Sequence, residues 1–106
     1  KSVDEVPKMK QSYLERARFF SNFMNGIGLE TLMPSGGLYC FSKVGHIMNS
    51  SLSFAEQLLE SQNVAVVPGS VFGNGGEGYI RSCIAINFQD LKQAADRIKK
   101  FVNNVK

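Results

Sequence analysis

Residues 64–86 read VAVVPGSVFGNGGEGYIRSCIAI, and the order of residue types in this stretch decides the fold. A short β-branched run, residues 64–67, ends at Pro68 and Gly69, and a glycine-rich loop follows it. Residues 79–86 then form an apolar run with three isoleucines on the same side of the alternation, which is typical of a strand. The stretch therefore predicts two strands joined by a glycine-rich loop.

One cation, Arg81, lies inside the second predicted strand. Strand alternation places Arg81 on one face with Tyr79, Cys83 and Ala85. The opposite face, which we expect to contact the core, carries Ile80, Ser82, Ile84 and Ile86. A partly buried guanidinium is costly unless an anion or hydrogen-bond acceptors meet it. Its planar fork can hold a carboxylate or a phosphate bidentately, and the alternative is a solvated charge on an open sheet face.

The glycine-rich loop contains a GxGxxG pattern made by Gly73, Gly75 and Gly78. A dinucleotide fingerprint of this form needs a helix N-terminus directly after the loop to hold the pyrophosphate. Here a strand is predicted instead, and the Lys-Ser/Thr pair of a Walker A loop is missing. We therefore interpret the glycines as a tight connection with positive φ angles.

The first half of the chain predicts a helix followed by strands. Apolar residues recur at helical spacing over residues 6–25 and predict an amphipathic helix, and residues 26–28, reading GIG, supply two glycine C-caps. Residues 29–33 are compatible with a short strand, and residues 34–37, reading PSGG, have turn chemistry. The aromatic-rich residues 38–44 predict the next strand. This pair is interpreted as a hairpin or as a strand and its return.

Two further helices are predicted from their caps and their apolar spacing. Ser53 and Glu56 form a capping box, which predicts a helix over residues 54–62. Asn87 can cap the last helix. The apolar stripe of that helix consists of Leu91, Ala94, Ala95, Ile98, Phe101, Val102 and Val105.

The element order is helix, strand, strand, helix, strand, strand, helix, without a repeat or a linker. This order predicts an α+β fold in which the helices pack on one face of a small, mostly antiparallel sheet. With 106 residues and 43% hydrophobic content, the chain fits a single domain, residues 1–106.

Charge and hydropathy restrict the class of partner. Twelve basic and nine acidic residues give a net charge of +3, but the lysines are scattered, so we expect no nucleic-acid partner. No apolar run reaches the roughly 18 residues of a membrane helix, and the N-terminus lacks a signal-peptide core. We expect a cytoplasmic protein without membrane contact. Because the chain starts at Lys1, we also expect it to be part of a longer polypeptide, so an organellar location stays open.

Other reactive side chains offer little catalytic chemistry. Cys40 and Cys83 lie in apolar strand-like runs and are expected to be buried, reduced thiols. His46 is the only histidine and has no neighbours at metal-ligand spacing, so we expect a surface histidine and no metal site. Tyr39 and Phe41 share one strand face and are expected to line the core or a pocket.

Residues 53–85, reading SFAEQLLESQNVAVVPGSVFGNGGEGYIRSCIA, closely resemble the C-terminal part of class I/II pyridoxal-phosphate (PLP) aminotransferases of fold type I. The PSGGLYCF segment, residues 34–41, and the AADRIKKF helix, residues 94–101, occur in the order and spacing of that family. The resemblance covers nearly the whole chain. It implies that residues 1–106 are the small C-terminal domain of a larger aminotransferase.

The same resemblance implies roles for individual residues. Arg81 matches the arginine that binds the α-carboxylate of the substrate, Tyr39 matches an aromatic position lining the pocket, and Phe72 and Gly73 fall in the loop that shapes its rim. Ser82 and its neighbour replace the commoner Leu-Ser pair, which should leave the carboxylate site intact. The Schiff-base lysine and the PLP-binding residues lie in the large domain of the family, so we expect no catalytic, cofactor-binding or metal-binding residue in this chain.

The implied partners are an amino acid, a 2-oxo acid, the large domain of the same parent chain and a second copy of that parent in a homodimer. The fragment alone is expected to be inactive. An alternative from a different class is a free-standing regulatory domain that binds an amino acid or another carboxylate through Arg81. A basic RNA-binding α+β domain is a third hypothesis.

Overall fold

The computed structural model describes residues 2–32 and 38–105, and the side chains of residues 12–32, 38–73 and 75–105. In these ranges there are three helices: α1 (Ser2–Gly26), α2 (Ser51–Gln62) and α3 (Phe88–Val105). The strands of the same ranges are β1 (Tyr39–Lys43), β2 (Val67–Pro68) and β3 (Tyr79–Cys83). Two short 3₁₀ turns, Gly69–Phe72 and Asn74–Gly76, lie between β2 and β3.

The strands form one antiparallel sheet with the order β1-β3-β2. The central strand β3 pairs with β1 so that Arg81 lies opposite Phe41, and with β2 so that Arg81 lies opposite Val67. Arg81 is therefore at the middle of the sheet. The α+β fold and the antiparallel sheet predicted from the sequence are confirmed.

One face of the sheet contributes to the core with the helices. Burial alternates along β1 and β3, so that Cys40 and Ser42 on one strand and Ile80 and Ser82 on the other lie on the covered face. Helices α1 and α2 contact both the sheet and α3. The largest fully buried side chains include Phe20, Met24, Leu29, Phe54, Leu58, Leu91 and Ile98. Among the described helices, none packs on the opposite face, which carries Arg81.

The apolar spacing predicts helix α1 from about residue 6, but Ser2 and Glu5 have the spacing of a capping box and Pro7 favours a first turn, so the sequence leaves the start open. The helix begins at Ser2 and ends as its sequence predicts. The Leu29 N–H donates to the Met24 carbonyl at 2.9 Å, and the Gly28 N–H donates to the Asn25 carbonyl at 3.1 Å. Gly28 has a φ of 91°, the left-handed conformation that this type of helix end needs. Leu29 and Met24 are both buried, so the helix end also fixes the direction of the following chain.

The N-terminal caps were predicted correctly for α3 and incorrectly for α2. Asn87 accepts a hydrogen bond from the Gln89 N–H at 2.7 Å, which confirms it as the α3 cap. Helix α2 begins earlier than predicted, because Ser50 and not Ser53 is its cap, and the Ser53 N–H donates to the Ser50 hydroxyl at 3.1 Å. The Ser51 N–H, in the first turn, finds an acceptor outside the helix.

The strands are shorter than the apolar runs that predicted them. In place of a strand over residues 29–33, the described part of this run makes one bridge, between Thr31 and Ser42. The predicted turn at residues 34–37 lies outside the described residues. Strand β2 covers Val67–Pro68 instead of residues 64–67; proline is tolerated there because an edge strand need not donate every N–H.

Strand β3 also ends early, at Cys83 instead of Ile86. Ile86 is 37% exposed, so its predicted place in the core is wrong, whereas Ile80 and Ile84 are fully buried as predicted. The reason is that the chain leaves the sheet to reach the Asn87 cap. The carbonyl of Ile86 instead accepts a hydrogen bond from Arg16 Nε at 2.7 Å.

No helix within the described ranges is long and apolar enough to cross a membrane.

Candidate functional site

Arg81 lies on the open face of the sheet, as strand alternation predicts. Its neighbours in the central strand, Ile80 and Ser82, are buried on the opposite face, whereas Arg81 itself is half-buried. On β1, Tyr39 and Phe41 extend from the same open face and are 39% and 47% exposed. Both residues were predicted to line the core or a pocket, and their exposure shows that neither belongs to the core.

Two aromatic rings flank the guanidinium of Arg81. Its central carbon lies 4.1 Å from the ring centroid of Tyr39 and 4.8 Å from that of Phe72, within the range of cation–π attraction. The Phe72 ring also contacts Phe41 edge-on, with 5.9 Å between the centroids. These rings hold the cation in place and cover the guanidinium, but they cannot neutralise its charge.

Within the described residues, the guanidinium has no anionic partner. Its Nε is buried without a hydrogen-bond acceptor, and the ion pairs of the described chain join Lys43 to Glu30 and Lys100 to Asp96 instead. A buried donor without a partner costs about 1–3 kcal/mol. The arrangement therefore favours an anion with oxygen acceptors, and a carboxylate matches the planar fork.

The glycine-rich loop folds back on itself beside this site. A Cβ atom added to Gly69 would lie 1.7 Å from the carbonyl oxygen of Gly76, so the two backbones touch where only glycine fits. Gly73 and Gly78 have φ angles of 102° and 94°. Strand β3 begins directly after the loop, at Tyr79, which agrees with the interpretation of the glycines as a tight connection.

Glu77 joins the end of this loop to α2. Its Oε2 accepts hydrogen bonds from the N–H groups of Ser51 and Gly78, both at 2.9 Å, and its Oε1 accepts one from the Ser51 hydroxyl at 3.3 Å. The Ser51 hydroxyl in turn accepts a hydrogen bond from the Ser70 N–H at 3.2 Å. These hydrogen bonds, that of the Ser51 N–H first, hold the pKa of the Glu77 carboxyl below its ordinary value of 4.5.

An open pocket of about 320 Å³ lies beside the arginine. It is lined by Phe41, Phe72, Gly75, Gly76 and Tyr79. Its walls are mainly aromatic, and the glycines let the loop backbone form one side. The pocket adjoins the stacked guanidinium because Phe72 contacts both.

The two cysteines differ in their surroundings. Cys40 is buried as predicted, and burial raises the pKa of its thiol, although a contact of 3.9 Å with the Ser21 hydroxyl opposes the shift. Cys83 is exposed, so the prediction of a buried thiol is wrong for it. It lies on the open face opposite Tyr39, because the apolar residues around it in the sequence belong to the other face.

The remaining polar groups do not form a second centre. His46 is exposed, as predicted, and its Nε2 lies 2.7 Å from the Gly28 carbonyl oxygen. Across the described ranges, no cluster of three or more His, Cys, Asp or Glu residues could hold a metal ion.

The sequence singled out Arg81 from its position in an apolar strand and Tyr39 from its strand face, and it named Phe72 only through the resemblance. Glu77 was missed. The sequence does show a single carboxylate at the end of a glycine-rich loop, which could have drawn attention to Glu77. Its partner, Ser51, lies 26 residues away, and no sequence pattern links the two residues.

Three comparisons with known proteins agree. A family profile described as "Aminotransferase class I and II" matches residues 1–98. The chain is 45% identical over 101 residues to a putative aminotransferase, YugH, of Bacillus subtilis, with 95% of this chain and 26% of the relative covered. It is 35% identical over 106 residues to aromatic-amino-acid aminotransferase 2 of Thermococcus litoralis, covering all of this chain and 27% of the relative.

Among solved structures, the aromatic aminotransferase of Pyrococcus horikoshii superposes with a TM-score of 0.93 at 34% identity, over 97% of this chain and 28% of that chain. The aspartate aminotransferase of Thermotoga maritima gives a TM-score of 0.83 at 35% identity, over 92% of this chain and 24% of that chain. The chain thus spans about a quarter of the length of the relatives that it matches.

Proposed function

This chain belongs to the class I and II aminotransferase family, and from that premise we propose that residues 1–106 are the small C-terminal domain of a PLP-dependent aminotransferase. The parent transfers an amino group between an amino acid and a 2-oxo acid and functions as a homodimer. Two observations support the domain assignment: the chain has a core of its own, and it covers about a quarter of each relative.

We assign Arg81 the binding of the substrate α-carboxylate. The observation that carries this proposal is a half-buried guanidinium whose Nε has no acceptor among the described residues and whose carbon lies 4.1 and 4.8 Å from the ring centroids of Tyr39 and Phe72. Rings on its faces leave the N–H groups at the edge of the plane for two parallel hydrogen bonds to one carboxylate. We assign Tyr39 a place beside the bound carboxylate, because its ring contacts this cation.

The cofactor belongs, in this proposal, to the large domain of the parent. PLP, when bound there, supplies the aldehyde that takes up the amino group and the ring that withdraws electrons from the α-carbon. The part of this chain is to orient the substrate: a carboxylate held at two oxygens fixes the direction of the other α-carbon bonds. Closure of the small domain over the substrate also excludes water.

The test compares an amino acid with the amine that lacks its carboxylate, for example L-phenylalanine with 2-phenylethylamine, in the parent enzyme. Loss of a hydrogen bond to a charged group costs about 1.5–3 kcal/mol, so Arg81→Ala should lower kcat/KM for the amino acid roughly tenfold to a few hundredfold. The value for the amine should change little. Arg18→Ala, which removes an exposed cation from α1, is the matched control.

If Arg81→Ala leaves kcat/KM for the amino acid at the wild-type value, the assigned role is wrong. A calorimetric titration addresses the domain assignment. The isolated chain should show negligible affinity for amino acids and for PLP, since the rest of both sites is in the large domain. Tight carboxylate binding by the isolated chain would instead favour a free-standing regulatory domain.

A further inference from the structure

Glu77 and the Arg81 stack are two parts of one connected arrangement. Phe72, which covers Arg81, lies within the loop of residues 69–76, and Glu77 directly follows that loop. We infer that Glu77 is a positioning residue, which acts through Ser51 to hold this loop, and with it Phe72, against Arg81. The inference rests on the proposed function, because it concerns how the carboxylate-binding arginine is oriented.

The first step is the hydrogen-bonded link from Glu77 to the start of the loop. The Ser51 hydroxyl has one hydrogen, which it donates to Glu77 Oε1, so its oxygen is free to accept from the Ser70 N–H. Ser51 is 0% exposed, so its hydroxyl relies on protein partners, whereas Glu77 and Ser70 are exposed. Ser70 is two residues before Phe72, so the link ends close to the aromatic ring.

The second step is the closure of the loop. The backbones of Gly69 and Gly76 are in direct contact, as the distance of 1.7 Å from a Cβ built on Gly69 to the Gly76 oxygen indicates. Residues at the start and end of the loop are therefore neighbours in space. Glu77 is linked to both ends of the loop. It accepts a hydrogen bond from the Gly78 N–H, just after the loop, and Ser51 connects it to the Ser70 N–H near the start of the loop.

The third step connects the loop to Arg81. Because Arg81 Nε has no acceptor among the described residues, the rings of Tyr39 and Phe72 are the contacts that set the plane of the guanidinium. Tyr39 is held by strand β1. Phe72 is held by the loop, and it is 43% exposed, so its own burial fixes it only in part. Loosening the loop would remove one of the two ring contacts of the guanidinium.

The experiment uses the full-length parent enzyme with PLP bound and L-phenylalanine or L-aspartate as amino donor, whichever it converts faster. In Glu77→Gln, the amide keeps the shape of the side chain, and its oxygen can still accept from the Ser51 and Gly78 N–H groups. Its NH2 group then faces the Ser51 hydroxyl, which loses its acceptor and whose oxygen the Ser70 N–H also needs. We expect KM for the donor to rise about three- to tenfold, which corresponds to the usual coupling between contacting residues. The kcat per PLP-loaded site should stay within about twofold, since only binding is affected.

Glu60→Gln, which removes an exposed carboxylate from α2, is the matched control and should leave KM unchanged. If Glu77 only stabilised the fold, its substitution would lower the number of PLP-loaded sites and leave KM at the wild-type value, which would overturn the inference. Should Glu77→Gln fail to fold, Ser51→Ala interrupts the same link and should raise KM by a similar factor.

A double-mutant cycle tests the route of the effect. In a Phe72→Ala background, Glu77→Gln should produce no further rise of KM, because the ring that it positions is missing. An equal rise in both backgrounds would refute action through Phe72. Arg81→Ala in the same assay separates the two proposals: if it lowers kcat/KM and Glu77→Gln leaves KM unchanged, only this inference fails, whereas an unchanged kcat/KM in Arg81→Ala refutes the assigned role of the arginine and the inference with it.

Discussion

The guanidinium carbon of Arg81 lies 4.1 Å from the ring centroid of Tyr39, although the two residues are diagonal neighbours in the sheet and not directly paired. Tyr39 is opposite Cys83, and Arg81 is opposite Phe41. Diagonal positions are separated by about 7–8 Å, a distance that long and aromatic side chains span. The contact therefore depends on two long side chains leaning toward each other on a face that no helix covers.

The Tyr39 ring should contribute to carboxylate binding without touching the carboxylate. A cation–π contact contributes about 0.5–1 kcal/mol at exposed sites and about 2 kcal/mol when desolvated. Since 1.4 kcal/mol is a factor of ten, Tyr39→Ala in the parent enzyme should raise KM for the amino donor roughly two- to thirtyfold. Tyr39→Phe keeps the ring and should stay near the wild-type value. Equal effects of the two substitutions, measured by steady-state kinetics, would argue against the ring contact.

The depressed pKa of Glu77 predicts a pH dependence of stability. Because the folded-state pKa is below the ordinary value of 4.5, the hydrogen-bonded carboxylate stabilises the folded chain above that pH. This contribution is lost as the pH falls from 4.5 through the lower folded-state value. Urea unfolding of the wild type and of Glu77→Gln should therefore show a difference at pH 7 that shrinks as the pH falls below 4.5, while Glu60→Gln follows the wild type. A difference that is independent of pH would contradict the role of the carboxylate.

The sequence predicted those features that depend on neighbours in the chain. The periodicity of residues 91–105 and the Asn87 cap are local signals, and both agree with α3. The alternation of buried and exposed residues around Arg81 is equally local, because successive side chains of a strand alternate whatever the strand pairs with. The arginine could therefore be placed on the open face from its position alone.

The features that the sequence missed depend on distant residues. Ser50 and Ser53 are both residues of a type that caps helices. With Ser50 as the cap, Ser51 is the first residue of α2, and its N–H donates to Glu77, 26 residues later in the chain. Strand β2 is short because only Val67 and Pro68 pair with β3. The residue types of residues 64–67 give no sign of where this pairing begins. The contact of Phe72 with Arg81 also could not be predicted from the sequence. Phe72 lies in a loop, and a loop has no periodicity that shows where a side chain points.

The contact between Gly69 and Gly76 predicts a large difference between two similar substitutions. In Gly69→Ala, the added Cβ would meet the Gly76 carbonyl oxygen at 1.7 Å, so the loop must open. Overpacking of this kind costs about 1–3 kcal/mol, which urea unfolding should reveal as a lower free energy of unfolding. Gly75→Ala is the control, because nothing lies within 4 Å of its Cβ, and it should change the free energy by less than about 0.5 kcal/mol. Similar losses in both variants would show that the loop is not closed at Gly69.

Two serines on the covered face of the sheet predict effects of opposite sign. Ser82 is 5% exposed, and its hydroxyl has no hydrogen-bond partner among the described residues, whereas the buried Ser42 hydroxyl lies 2.6 Å from that of Thr31. A buried polar group without a partner costs about 1–3 kcal/mol, so Ser82→Ala should raise the free energy of unfolding by about 1 kcal/mol. Ser42→Ala leaves the Thr31 hydroxyl with one partner fewer and should lower it by a similar amount.

Urea unfolding of the chain at pH 7 measures both serine variants against the same wild type. They suit each other as controls, since each substitution removes one hydroxyl from adjacent antiparallel strands on the same face. The difference between the free energies of unfolding of the two variants is the informative quantity. Both substitutions are Ser→Ala, so the loss of packing volume is equal in the two variants and cancels in this difference. A loss of stability in Ser82→Ala as large as that in Ser42→Ala would mean that the Ser82 hydroxyl has a partner in solution.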